Sequence, residues 1–211
     1  GSAFASLAAW CLTRDARRKV AAFTVDAAFL RADSCDGLPV VAFQKLANDF
    51  PPDTHDMLLP LGYTRMNEFR RERCDQAKAM GYTLASYVSR SACVWPDLPV
   101  GENVMIYEQA VLQPFVTLGD NVIVRSGANI GHHSQIGSHS FIASGAVTGG
   151  NVTIGAHAFI GLGAILRDNI SIGRRCFIGA GAVVIADTEP DGVYVGSPAR
   201  RLPDKISLDI T

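Results

Sequence analysis

A six-residue period runs through the second half of the chain and restricts its fold more than any other feature. Stepping by six from Val94 gives Val100, Ile106, Leu112, Leu118, Val124, Ile130, Ile136, Ile142, Thr148, Ile154, Ile160, Leu166, Ile172, Ile178 and Val184. Fifteen of these sixteen positions are Val, Ile or Leu, only Thr148 departs, and no insertion breaks the register. The next position is often glycine, as at Gly119, Gly131, Gly137, Gly155, Gly161 and Gly179. Four residues after the aliphatic stands a small or β-branched residue, such as Ala128, Ser134, Ala146, Val152, Ala164 or Cys176. An α-helix cannot use this pattern, because a period of six precesses around a 3.6-residue turn. Hairpin sheets place their turn signals every 8–12 residues. A triangular coil satisfies it: each hexad is a short strand plus a turn, three hexads make an eighteen-residue rung, and each rung covers the open edge of the next.

Residues 1–90 lack the repeat and alternate helical and strand-like stretches. Helices are predicted over residues 4–12, 43–50 and 67–80, the last stopped by Gly81. Strands are predicted over 20–25, 57–61 and 83–88. Alternation of this kind implies a small parallel α/β unit. The predicted organisation is therefore mixed: an α/β domain over 1–90, a parallel β-helix over 91–188 and a tail over 189–211. The charged helix carrying Arg70, Arg71 and Arg73 reads as a surface face.

Of 211 residues, 48% are hydrophobic and 18% charged, and the formal net charge is -1. This composition suits a packed core and excludes a global basic field for nucleic acid or anionic membrane. No apolar run approaches the ~20 residues of a membrane span. Five scattered cysteines without a C-x-x-C pair read as reduced thiols, mostly buried, in a cytoplasmic protein.

Residues eighteen apart stack in a coil, so neighbours can be read from sequence. Gly127, Gly145, Gly163 and Gly181 share one column, each followed by alanine. That corner meets the φ > 0 demand of a turn and also offers a backbone-lined track for an extended thioester arm. A second column holds His133, Asn151 and Asn169. A third holds Asn103, Asn121, His139, His157 and Arg175. Asn and His are enriched at left-handed positions, so these histidines read first as turn formers. His132 lies one residue earlier, where no turn requirement explains it, and Gly150 stacks beside it and leaves open space. A histidine there suits a general base. A zinc site is the rival use of histidines on such a coil, but it needs three converging imidazoles, and the spacing does not fit the gamma-class carbonic anhydrases. Arg174-Arg175 and Arg200-Arg201 are either solvated pairs or phosphate ligands.

The segment Ile130-Gly131-His132-His133-Ser134-Gln135-Ile136-Gly137 resembles the active-site rung of bacterial nucleotide-sugar acetyltransferases. These include the bacillosamine- and perosamine-type N-acetyltransferases and the sialic-acid O-acetyltransferase-like proteins. The ending Gly192-Val193-Tyr194-Val195-Gly196-Ser197-Pro198-Ala199-Arg200 is similar to their closing G-x-P-A-[RK] segment. The resemblance implies a left-handed β-helix behind a Rossmann-like N-terminal domain. It implies acetyl-CoA as co-substrate, no metal, and a homotrimer with sites between neighbouring coils. His132 matches the family's catalytic histidine, and His133 stands where bacillosamine-type enzymes carry a ring-orienting glutamate. The cofactor would lie along Gly145, Gly150, Leu162, Gly163, Ala180 and Arg200. The nucleotide-sugar acceptor would sit near Gly1, Ser2, Asp26 and Gly62. Two features depart from the family: Phe141 replaces a second histidine, and the glycine-rich first turn is represented only by Gly1-Ser2. A non-catalytic trimeric scaffold is the alternative reading of the same coil.

Overall fold

A computed structural model describes residues 3–210. The hexads form three parallel ladders around a triangular prism. One face stacks Tyr87–Val88, Met105–Ile106, Ile123–Val124, Phe141–Ile142, Phe159–Ile160, Phe177–Ile178 and Gly192–Val195. The second stacks Val111–Leu112, Asn129–Ile130, Val147–Thr148, Ile165–Leu166 and Val183–Val184. The third stacks Thr117–Leu118, Gln135–Ile136, Thr153–Ile154 and Ser171–Ile172. Registers such as Phe141↔Phe159 and Gln135↔Thr153 show the eighteen-residue rung. The second residue of each strand points inward, and from Ile106 to Val184 that column is buried. Burying each such aliphatic contributes roughly 1.5–3 kcal/mol.

The repeat of sequence begins before the regular coil does. Val100 fits the period, yet it is 41% exposed and lies outside any strand, between Pro99 and Gly101. Pro96 and Pro99 cannot donate to a ladder, so this stretch crosses the prism end as a loop. At the other end, Gly192–Val195 continues the first face in parallel and Arg200–Ile206 returns antiparallel to it. The segment expected as a tail from 189 is thus a cap on the coil.

The N-terminal residues form α1 (Ala3–Arg14), β1 (Phe23–Val25), β2 (Ser34–Cys35), β3 (Leu38–Ala42), α2 (Leu46–Asp49) and α3 (Glu68–Ala79). β1 pairs parallel to β3, and β2 pairs antiparallel to it. The β2–β3 hairpin was not predicted, although Asp36-Gly37 marks it. Both residues have positive φ, 50° and 78°, as a two-residue hairpin turn requires. The strand predicted at 20–25 is limited to β1. The strand predicted at 57–61 does not form: Met57 makes an isolated bridge to Leu84, and Leu59 is held instead by an asparagine side chain. Its N–H donates to Asn103 Oδ1 at 2.8 Å, and its carbonyl accepts from Asn103 Nδ2 at 3.3 Å. Tyr87–Val88, placed by sequence in the α/β unit, is the first strand of the coil.

The first face of the prism is where the two bodies meet. Its outward residues Tyr87, Met105, Ile123, Phe141 and Phe159 are buried with Cys11 and Met66, and α1 adds Phe4 and Leu12. Beside this patch, α3 inserts Arg70. The expectation of a surface helix fails here, because Arg70 is fully buried. Its Nε donates to Asn121 Oδ1 at 2.8 Å, and Nη1 donates to Asn67 Oδ1 at 2.9 Å and to the Gly62 carbonyl at 3.0 Å. Nη2 donates to the carbonyls of Asn121 at 3.1 Å and His139 at 2.8 Å. Burial lowers its pKa to about 9, so it remains cationic at neutral pH. The turn carbonyls of the coil attract this cation: left-handed corners aim unpaired C=O groups outward, and a five-donor guanidinium satisfies several at once. Arg71 does lie at the surface, bonded to Glu68 and Asp75, and Arg73 pairs with Asp26.

Replacing Arg70 with Met should destabilise the protein by about 3–5 kcal/mol, because buried acceptors lose their donor. Urea unfolding is the measurement; a loss under 1 kcal/mol would show that the guanidinium does not hold the two bodies together.

Candidate active site

The left-handed corners follow the stacked columns. His133, Asn151 and Asn169 have φ of 58°, 57° and 57°, and Asn103, Asn121, His139, His157 and Arg175 range from 51° to 67°. Gly127, Gly145, Gly163 and Gly181 have φ of 69°, 69°, 62° and 66°. A side chain built on any of these four glycines would meet nothing within 4 Å, so the corner is open to solvent. Leu162 (59% exposed) and Ala180 flank it.

His132 is not one of the positive-φ residues. It sits on the corner between the second and third faces, after Asn129–Ile130, and is exposed. Its amide donates to Gln113 Oε1 at 3.0 Å on the preceding rung, and its carbonyl accepts from Asn151 N at 2.7 Å on the next. The backbone is therefore gripped from both sides. The ring lies on Gly150: a Cβ there would stand 2.4 Å from Cε1 and 2.6 Å from Nε2. The space expected to be open above Gly150 is filled by the imidazole itself, and glycine is required because the ring occupies the place of a side chain. His132 Nδ1 and His133 Nδ1 are 3.1 Å apart, one donating to the other. His133 also packs on Phe115, with ring centroids 4.6 Å apart. Phe115 is 68% exposed and holds φ of 67°, an unfavourable conformation for a bulky residue.

The candidate residues thus fall into separate groups. His132, His133 and Gly150 meet at one corner; Gly145, Leu162, Gly163 and Ala180 share another, across the second face. Arg200 is exposed, its Nη1 donating to the Ala199 carbonyl. Gly1 and Ser2 lie outside the described residues. Asp26 follows β1 and is bonded by Gln44 Nε2 at 3.0 Å and Arg73 Nη2 at 2.6 Å; the Gly62 carbonyl accepts from Arg70. Sequence reasoning missed Gln113 and Thr148 as contacts of the His132 corner. The signal was present for Thr148, the single break in the aliphatic column. Among the described residues, no three His, Cys, Asp or Glu side chains gather where a metal ion could bind. The five cysteines are free thiols, and Cys11, Cys74 and Cys176 are buried.

His139 and His157 form a second pair, with ring centroids 4.6 Å apart. Asn121 Nδ2 donates to His139 Nδ1 at 3.0 Å, which requires that nitrogen unprotonated. Burial, then the neighbouring His157 and Arg70, lowers the His139 pKa to about 4. Burial also lowers that of His157, against an opposing pull from Glu68. These rings belong to the contact with α3.

The family model described as bacterial transferase hexapeptide, six repeats, matches residues 100–132 and 151–186. No sequence among the curated proteins matches the chain significantly. Solved structures match nearly its whole length. A histidine variant of perosamine N-acetyltransferase from Caulobacter crescentus, in complex with CoA and GDP-perosamine, is 27% identical with a TM-score of 0.88, over 97% of this chain and 94% of that one. The acetyltransferase domain of PglB from Neisseria gonorrhoeae is 27% identical with a TM-score of 0.85, over 96% and 97%. The same domain in complex with acetyl coenzyme A is 28% identical with a TM-score of 0.82, over 90% and 91%. The residues matched by that family model all lie in the coil or at its entry. Over almost its whole length the chain resembles sugar N-acetyltransferases, which places it with the acyltransferases.

The histidine pair generates a pH prediction. A folded pKa below the unfolded value means that the unfolded chain binds more protons between about pH 6.5 and 4, so stability falls on acidification through that window. His139→Asn keeps a residue suited to the left-handed corner and should flatten the decline in melting temperature between pH 7 and 4.5. An unchanged slope in this variant would remove His139 as its source.

Proposed function

We propose that the protein transfers an acetyl group from acetyl-CoA to an amine or hydroxyl of a nucleotide-linked sugar, with His132 as general base. The observation that carries this reading is an exposed imidazole fixed on Gly150 and hydrogen-bonded to His133, in a coil similar to enzymes solved with CoA and GDP-perosamine. His132 donates its Nδ1–H to His133 Nδ1, which leaves Nε2 free to take the acceptor's proton. The acceptor nitrogen or oxygen attacks the thioester carbonyl carbon, and the tetrahedral adduct collapses with cleavage of the C–S bond. The proton held at Nε2 passes to the departing thiolate. His133 orients the ring, at the position where the resemblance places a glutamate in the bacillosamine-type enzymes.

The prism supports a homotrimer as the working form. Its first face is covered by the α/β unit, and its third presents Thr117, Gln135, Thr153 and Ser171. The second presents Val111, Asn129, Val147, Ile165 and Val183, with Val147 40% and Ile165 48% exposed. Exposed apolar area on an otherwise ordered sheet favours a protein partner. If three coils turn this face to a common axis, the His132 edge of one meets the glycine edge of the next. The thioester arm then lies between them, along Gly145, Leu162, Gly163 and Ala180 of one copy and Gly150 of the other. Arg200 would hold a phosphate of CoA.

The N-terminal unit is read as a Rossmann-like domain, on the support of the parallel β1–β3 pair. Asp26 at the end of β1 and Gly62 would border the nucleotide. Within one chain this unit packs on the first face, away from the His132 corner, so the acceptor it holds is served by a neighbouring copy's histidine. We read the setting as cytoplasmic, where acetyl-CoA and nucleotide sugars are made. Among the described residues no helix is long and apolar enough to cross a membrane.

Steady-state assays with acetyl-CoA and a panel of nucleotide-linked amino and hydroxy sugars test the reaction. His132→Ala should lower kcat/KM at least 100-fold, and Gly150→Ala should lower kcat at least tenfold by displacing the ring while the melting temperature stays near wild type. Full activity in His132→Ala would end the general-base role. A Val147→Asp, Ile165→Asp double variant should sediment as a monomer and lose activity; an active monomer would refute the shared site.

A further inference from the structure

We propose that Thr148 is a positioning residue for the reaction, acting through Gly131 to set the height and tilt of the His132 imidazole; this rests on His132 being the base. The argument begins with the ladder. After each inward aliphatic, the next amide ordinarily donates to a backbone carbonyl on the following rung. Gly119 donates to Ile136, Gly137 to Ile154, Gly149 to Leu166 and Gly155 to Ile172, each at 2.7–2.8 Å. Gly131, the residue before His132, donates to the Thr148 hydroxyl at 2.9 Å. The ladder around it is shortened: Asn129 pairs with Val147, but the expected Ile130–Thr148 pair is absent, whereas the neighbouring Val147–Thr148 and Ile165–Leu166 strands pair at both residues.

A hydroxyl in this column has a cost. Thr148 is 5% exposed and occupies a site where every other hexad from 106 to 184 places a pure hydrocarbon. A buried hydroxyl is unfavourable unless bonded, and here its bond goes to the amide adjoining the catalytic residue. Valine has nearly the same volume, so filling the prism gives no reason for threonine. The close approach below Gly131 agrees: a Cβ there would stand 2.2 Å from the Gly149 carbonyl oxygen, and the Gly131–His132 segment rests directly on Gly149–Gly150. Thr148 holds this segment from beneath, while Gln113 holds the next amide from the rung before. Moving Gly131 into a regular ladder bond would shift His132 on Gly150, where reacting atoms need placement within a fraction of an ångström.

The coil carries its own control. Gly173 donates to the Thr188 hydroxyl at 2.9 Å, the same bond at the prism's far end and remote from His132. Thr148→Val, Thr148→Ser, Thr188→Val and His132→Ala are compared by kcat, KM for acetyl-CoA, the pH profile of kcat and thermal unfolding. Thr148→Val should melt at or above wild type, lose at least tenfold in kcat with KM for acetyl-CoA within twofold, and show a displaced pH profile. Thr148→Ser should stay within threefold of wild type, and Thr188→Val should match wild type in kcat. Should Thr148→Val not fold, Thr148→Ala and Thr148→Cys decide the point by the same readouts. A kcat within twofold of wild type for the folded hydroxyl-less variants, or an equal loss in Thr188→Val, overturns the proposal. Loss of activity in His132→Ala alongside such a result would leave the general-base reading standing, and full activity in His132→Ala would instead remove that reading.

Discussion

The stacking of each rung on the one eighteen residues later is the interaction on which the rest depends. Two residues per hexad enter a parallel ladder, and the inward one fills the prism. Neither works alone: a two-residue strand has too few hydrogen bonds to persist, and an isolated rung cannot bury its own aliphatics. Stacked, each rung supplies the other's edge and floor, as in repeat proteins generally. The corners carry the geometric price of turning the chain three times per rung. Gly, Asn and His fill most of them because left-handed backbone is least costly there, while Gln109, Phe115 and Arg175 hold the same conformation.

That economy also determines where chemistry can be placed. Corner side chains project from a rigid frame, and their positions repeat at the rung spacing. His132 stands beside the left-handed position rather than in it, so its side chain is not chosen by the turn. It is gripped by Gln113, Asn151 and the Gly131–Thr148 contact, and its ring takes the room vacated at Gly150. The same corner logic serves the other edge, where carbonyls of Asn121 and His139 receive Arg70 and join the α/β unit to the coil. Two corners of one prism thus do different work: one secures the N-terminal body, and the other presents an imidazole to solvent.

Much of the coil and its corner columns was legible, because a solenoid converts sequence separation into spatial adjacency by a fixed rule. Its ends were not. Val100 kept the period while leaving the prism, since two prolines beside it cannot enter a ladder. In the N-terminal unit, the Asp36-Gly37 hairpin carries its own local turn signal, two successive residues at positive φ. Residues 57–61 looked like a strand but are secured by the Asn103 side chain, a partner 44 residues away. Arg70 looked like a surface residue because its neighbours Glu68, Glu72 and Asp75 supply charge; nothing local shows that the opposite side of that helix meets unpaired carbonyls.

By itself the sequence determined the period, the cycle of three corner columns, the residues sharing a column and the place of His132 next to Gly150. These follow from local sterics and a repeat length, which need no knowledge of what lies beyond the chain segment. Only the tertiary structure decided which prism face the α/β unit covers, that Arg70 is buried there, and that the His132 ring occupies Gly150's space. It also showed that the odd threonine spends its hydroxyl on the amide before that histidine. Those outcomes turn on the complementarity of surfaces far apart in sequence and on hydrogen-bond directions within a few tenths of an ångström, and no local pattern encodes either.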